Sequence, residues 1–183
     1  MMQLPITPLT QENFAPFGDL IDWRQAEHFL INAGTTQRFH CLAEVNTGAE
    51  DGRAIISIFR KPQADSLPLR VTLLERHPQG SQAFIPLNAQ PFFILVAPAT
   101  EGSKPDLHQL KLFLSDGQQG VNYAAGVWHH PLIALQDGDC FLVVDRQGDL
   151  ANCDEYTLEA HLELWIPALS ASTDTLCVHD SNA

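Results

Sequence analysis

Glu75, Arg76 and His77 are three consecutive polar residues closing an apolar run in LERHPQGSQAFIP, residues 74–86. In extended backbone Glu75 and His77 share one face, and Arg76 points the other way as a surface ion-pairing group. A Pro-Gln-Gly turn follows. A hairpin between Leu69–His77 and Gln82–Leu87 would return Gln82 beside His77, gathering a carboxylate, an imidazole and an amide. A second stretch, GVNYAAGVWHHP at residues 120–131, sets His129 and His130 side by side. Strand alternation sends them to opposite faces. Which of them faces inward stays open at this point; if it is His129, it completes the cluster, and His130 lies on the other side with Trp128. Imidazole and carboxylate together suit a divalent transition metal. They equally suit general acid–base work, since histidine titrates near neutral pH.

Further polar groups sit at the ends of apolar runs. QRFH, residues 37–40, offers Arg38 and His40 on one face; SIFR, residues 57–60, ends in Arg60. In VVDRQGDLANCDE, residues 143–155, Asp145-Arg146 reads as a turn or a surface salt bridge. His28, His108, His161 and His179 read as ordinary solvated side chains.

The elements that must position these groups are strand-like. Ala54–Phe59, Leu69–Leu74, Phe92–Ala97, Leu110–Leu114, Val127–Leu132, Phe141–Val144 and Leu162–Ile166 are short and rich in Val, Ile, Leu or Phe. Turn formers such as Asp51-Gly52, Asp116-Gly117 and Asp137-Gly138-Asp139 separate them. One short helix is expected after Thr10, with Thr10 as its N-cap. Many short strands without a long 3.6-period stretch predict an all-β sandwich or barrel. Residues 168–183 turn polar and read as a C-terminal extension carrying Cys177 and His179, behind a single domain over 1–167.

The chain has 183 residues and a net charge of −12. That charge disfavours nucleic acid, and no basic stripe offsets it. No apolar run reaches membrane-spanning length. The start, MMQLPITPLTQENF, lacks the pattern of a signal peptide. Cys41, Cys140, Cys153 and Cys177 form no C-x-x-C pair, so free, mostly buried thiols in a reducing cytoplasm are expected.

The spacing Glu75-x-His77-x4-Gln82, then Ala124-x-Gly126-x2-His129, resembles a degenerate pair of cupin motifs. Glu75 stands for the first His, Gln82 for the acid and Ala124 for the Pro. The phrases INAGTTQRFHCLA, LERHPQGSQAFIPL, KPDL, GQQGVNY, GVWHHPL and VDRQGDLANCDE occur in the order seen in ureidoglycolate lyases, formerly called ureidoglycolate hydrolases. The resemblance covers roughly residues 3–165. It implies a cupin-like, jelly-roll β-barrel, a homodimer, and cleavage of (S)-ureidoglycolate to glyoxylate and urea in allantoin and purine breakdown. On that reading His77, His129 and Glu75 are the catalytic candidates. Arg38 or Arg60 would clamp the substrate carboxylate, and Gln82, Asn122 and Tyr123 would hydrogen-bond the ureido group. A divalent metal, nickel among the options, would sit on His77, Gln82, His129 and Glu75; no organic cofactor is implied. The alternatives are a hydrolase releasing ammonia and a non-catalytic cupin that binds a small carboxylate.

Overall fold

Phe92–Ala97 is a strand in which all six residues are buried, and a strand tolerates that only when both its faces are covered. The computed structural model, which describes residues 2–49 and 51–169, shows what covers them. The strand lies inside a seven-stranded sheet ordered Asp154–Thr157, Leu73–Arg76, Trp128–His129, Phe92–Ala97, Lys111–Leu114, Ile6–Pro8, with Ile133–Ala134 also pairing Phe92–Ala97. A five-stranded sheet faces it, ordered Gly18–Ile21, Gly120–Tyr123, Gln82–Pro86, Cys140–Gln147, Arg53–Arg60. Phe92, Ile94 and Val96 pack between these sheets with Phe84, Val121, Tyr123, Phe141 and Val143. Phe93 and Leu95 point to the other side, where Leu74, Trp128, Leu164 and Ile166 form a second core. A small sheet of Met2–Gln3, Leu164–Ile166 and Leu69–Arg70 closes that side.

The architecture is all-β, as the sequence predicted. From Leu73–Arg76 to Gln82–Pro86 and back to Phe92–Ala97, and again from Lys111–Leu114 through Gly120–Tyr123, Trp128–His129 and Cys140–Gln147 to Asp154–Thr157, the chain alternates between the two large sheets. That alternation is the jelly-roll pattern. Among the described residues no hydrogen bonding closes the two sheets into one ring, so the barrel is a sandwich of facing sheets. The short helix is Gln11–Phe14, and the Thr10 hydroxyl accepts the Asn13 N–H at 3.1 Å.

Several expectations change. Leu69–His77 and Gln82–Leu87 do not pair as a hairpin. Leu73–Arg76 pairs with Asp154–Thr157 and His129, while Gln82–Pro86 pairs in the opposite sheet. The turn between them crosses the sandwich. The run Val127–Leu132 is strand only at Trp128–His129. Val96 opposes His129 and Phe93 opposes Ile133, so four steps on one strand match three on the other, a bulge. Cys41 and Cys153 are exposed rather than buried, and they are unpaired, as is Cys140. Cys177 and His179 lie outside the described residues.

Candidate metal and substrate site

Leu74 packs into the second core, so its neighbour Glu75 faces the space between the large sheets. His129 is its register partner across the ladder and alternates with Trp128 in the same way. His77 lies just past the end of Leu73–Arg76. Gly126 ties the two histidine segments together: its N–H donates to the His77 carbonyl at 2.9 Å. Its φ of +80° is a left-handed conformation that glycine adopts without strain.

Both imidazoles are held from behind. His77 Nδ1 lies 2.6 Å from the Asn152 carbonyl, and His129 Nδ1 lies 3.0 Å from the Val127 carbonyl. A carbonyl only accepts, so each neutral ring carries its hydrogen on Nδ1 and a lone pair on Nε2. Tyr123 stacks on His129 with centroids 4.4 Å apart and fixes that ring's plane. Burial, and secondarily the Glu75 charge, push the Tyr123 hydroxyl well above its ordinary pKa, so it stays neutral. The His77 and His129 rings are 5.2 Å apart, and His129 Nε2 sits 3.5 Å from Glu75 Oε1. Burial opposes ionisation of Glu75, but the adjacent His129 and the fields of His77 and His130 hold its carboxyl below the usual value.

One ligand atom from each of Glu75, His77 and His129 lies within 4.8 Å of the others. His77 Nε2 and His129 Nε2 are both buried without a hydrogen-bond partner. Two lone pairs and a carboxylate converging, with both rings oriented through Nδ1, are the donor set and outer shell of a transition-metal site. The residues present therefore fit a divalent metal.

Across the sandwich, Gln82 opposes Tyr123 in register and shares its inward face. Its Nε2 donates to Asp145 Oδ2 at 3.4 Å, while Gln82 Oε1 and Asp145 Oδ1 are buried without partners. A cavity of about 370 Å³ opens beside Glu75, lined also by Phe59, Arg60, Lys61, Phe84, Pro131 and Leu132. Arg60 alternates with the inward Phe59 onto the exposed face that carries Ile56 and Ile58, and the ammonium of neighbouring Lys61 pairs with Asp65 at 2.8 Å.

Not every candidate arrives here. Asn122 points to the opposite face from Tyr123, where its amide donates to Asp19 Oδ2 at 2.9 Å and to the Glu44 carbonyl at 3.1 Å. Arg38 lies on the exposed hairpin of Phe29–Ile31 and Thr36–Arg38, its guanidinium 5.9 Å from the Phe29 ring. His130 follows the bulge, with Nδ1 2.7 Å from the Pro131 carbonyl. Burial lowers its pKa, only partly offset by that carbonyl and by Asp65 and Glu75. Arg76 faces away as expected, bonding Asp154 at 2.9 Å and lying 4.6 Å over Trp128. Asn152, Lys61 and Asp145 belong to the site region without having been candidates. Only Asp145 left a signal, the alternation Phe141, Val143, Asp145.

A family model for ureidoglycolate lyase matches residues 1–165. That stretch contains every residue of the cluster. The chain belongs to the ureidoglycolate lyase family. It is 56% identical over 156 residues to the ureidoglycolate lyase of Pseudomonas savastanoi pv. phaseolicola, covering 85% of this chain and 90% of that one. Identity to the Pseudomonas syringae pv. tomato ureidoglycolate lyase is 54% over 166 residues, covering 90% and 95%. To the Azotobacter vinelandii ureidoglycolate lyase it is 52% over 156 residues, covering 85% and 92%. This chain sets a His–His–Glu cluster next to a cavity whose lining Glu75 shares with Arg60 and Lys61.

Proposed function

We propose that this chain is a carbon–nitrogen lyase that cleaves (S)-ureidoglycolate to glyoxylate and urea in purine breakdown. The observation that carries the proposal is the cluster of Glu75, His77 and His129 beside a cavity with Arg60 at its edge, in a chain of this family. The substrate carries a carboxylate, a hydroxyl and a ureido nitrogen on one carbon. Arg60 is assigned the carboxylate, which a guanidinium can hold through two parallel hydrogen bonds. Arg38, on the exposed hairpin, is not assigned to it.

Glu75 lines the cavity directly, so it is the group placed to take the hydroxyl proton. The electron pair left on oxygen forms the aldehyde carbonyl as the carbon–nitrogen bond breaks. The departing nitrogen takes the proton from Glu75 and leaves as urea. Tyr123 and the carbonyls of Val127 and Asn152 hold the two imidazoles in place. Glu75, His77 and His129 would hold a divalent metal such as nickel, which would polarise the substrate hydroxyl and lower its pKa. Gln82, anchored on Asp145, is assigned to substrate rather than to metal.

The catalytic domain is assigned to residues 1–167, acting in the cytoplasm as a homodimer. No helix among the described residues is long and apolar enough to cross a membrane. The test follows glyoxylate, urea and ammonia separately on ureidoglycolate, before and after chelation. Glyoxylate and urea in equal amounts are expected, with turnover lost on chelation. Ammonia in place of urea would replace the lyase by a hydrolase.

A further inference from the structure

Asp145 is a carboxylate on the inner wall of the sandwich. It alternates with the core residues Val143 and Phe141 and opposes Ile55 across the ladder. Its Oδ2 takes the Gln82 amide, and its Oδ1 is buried without a partner. Because a carboxylate oxygen accepts when ionised, it turns the Gln82 Nε2 toward itself and leaves Gln82 Oε1 as the free end of the amide. Gln82 is only 5% exposed, so that oxygen has little water to satisfy it. A buried acceptor without a donor is costly, and two on one wall mark a place where a donor belongs.

Two acceptors placed together match a ligand with two N–H donors. A ureido group has such a face, since its two nitrogens both carry hydrogens. The cationic residues lie elsewhere. Arg60 and Lys61 line the cavity around Phe59, whereas Asp145 is four residues away along the paired strand from Phe141, which opposes Phe59. Four residues of strand span roughly 13 Å. The unmatched acceptors of Gln82 and Asp145 therefore lie at one end of the space between the sheets, away from the cavity that Arg60, Lys61 and Glu75 line, with Glu75, His77 and His129 on the facing sheet.

We infer that Asp145, together with the Gln82 amide it orients, is the specificity-determining contact for the ureido N–H groups of the substrate. The inference rests on the proposed lyase reading and fixes the direction in which the substrate lies. The ureido end points to Asp145 and the carboxylate away from it. A carboxylate end at Asp145 would set two anions against each other.

The experiment titrates urea and glyoxylate separately into the full chain, reading amide chemical shifts, for wild type, Asp145→Asn and Asp145→Ala. Urea should bind at least about tenfold more weakly to both variants, as expected when a hydrogen bond to a charged group is lost. Glyoxylate affinity should change less than about twofold, and KM should rise more than kcat falls, because ground-state binding is what is removed. Equal weakening of both probes, or no weakening of urea, would overturn the inference. Should the variants not fold, wild type supplies the second test: a substrate dimethylated on its terminal nitrogen should be turned over at least about tenfold less efficiently. Undiminished turnover of that substrate would overturn the inference as well. Wild type that binds urea through Asp145 yet never cleaves ureidoglycolate would defeat the lyase reading alone.

Discussion

Two polar networks are set into this protein, and they differ in whether their atoms are satisfied. Around Arg24, the guanidinium bonds Asp22 through Nε at 2.9 Å and Nη2 at 2.7 Å, and Asp116 through Nη1 at 2.7 Å. Gln119 adds bonds to Asp22 and to the Leu9 carbonyl, both at 3.2 Å. No atom of that network is among the buried polar atoms without partners. Around Glu75, by contrast, His77 Nε2, His129 Nε2, Gln82 Oε1 and Asp145 Oδ1 are all buried and unmatched. Cavity size points the other way. The spaces beside the Arg24 network measure about 490 and 570 Å³, against about 370 Å³ beside Glu75. Volume therefore does not single out this region. Four unmatched atoms gather around it, while Asn122 Oδ1, Arg146 Nη1 and Trp165 Nε1 are buried without partners elsewhere among the described residues.

The sharpest way to break the contrast is to truncate one member of each network. His129→Ala should lower kcat/KM by about 10³-fold or more, the range expected when an acid–base or metal-holding group is removed. Its melting temperature should fall as well, because the buried ring also gives up the Val127 carbonyl and its stack on Tyr123, so activity is compared on the folded protein. Arg24→Ala should leave kcat/KM intact while the melting temperature drops. Loss of activity in a well-folded Arg24→Ala protein would erase the distinction.

A smaller effect separates the two arginines. Arg60→Ala should raise KM by roughly 10–100-fold, the cost of a lost hydrogen-bonded charge pair, while Arg38→Ala changes KM by less than about twofold. Steady-state kinetics on both variants decide it. A dominant effect at Arg38 would mean that the exposed hairpin supplies the site, against the cavity geometry.

The smallest effect concerns pH. Burial raises the cost of ionising Asp22, but the hydrogen bonds and charge of Arg24 and the Gln119 amide outweigh it and hold its carboxyl below 3.8. A depressed carboxyl contributes stability that is present above its unfolded pKa and lost as pH falls through the native value. The gap in unfolding midpoint between wild type and Asp22→Asn should therefore be widest at pH 5 to 7 and shrink as pH drops below 3.8. A constant gap would remove ionisation of Asp22 from the account.

Much of the cluster was legible from one rule, that neighbouring strand residues face opposite ways. It placed Glu75 and His77 together and Arg76 apart, the resemblance chose His129 over His130 as the inward one, and the structure agrees at each. The same rule places Asn122 and Tyr123 on opposite faces, yet both stood as ureido contacts. The resemblance carried Asn122 in where the period-2 pattern argued against it. Asp145 was legible too, two residues beyond Val143, but an acid next to an arginine reads more readily as a turn.

What the sequence by itself determined was local: which residues face together along a strand, where the helix begins, and which runs are apolar enough to be buried. Those follow from backbone geometry within a few residues. Which strands become neighbours was decided only by the tertiary structure. Leu73–Arg76 and Gln82–Pro86 are separated by one short turn, yet they go to different sheets, so His77 and Gln82 belong to facing walls instead of one hairpin. The proposal of Arg60 over Arg38 rests on the same kind of long-range pairing. Each ends a strand, and only long-range pairing sets one beside Glu75 and the other on an exposed hairpin.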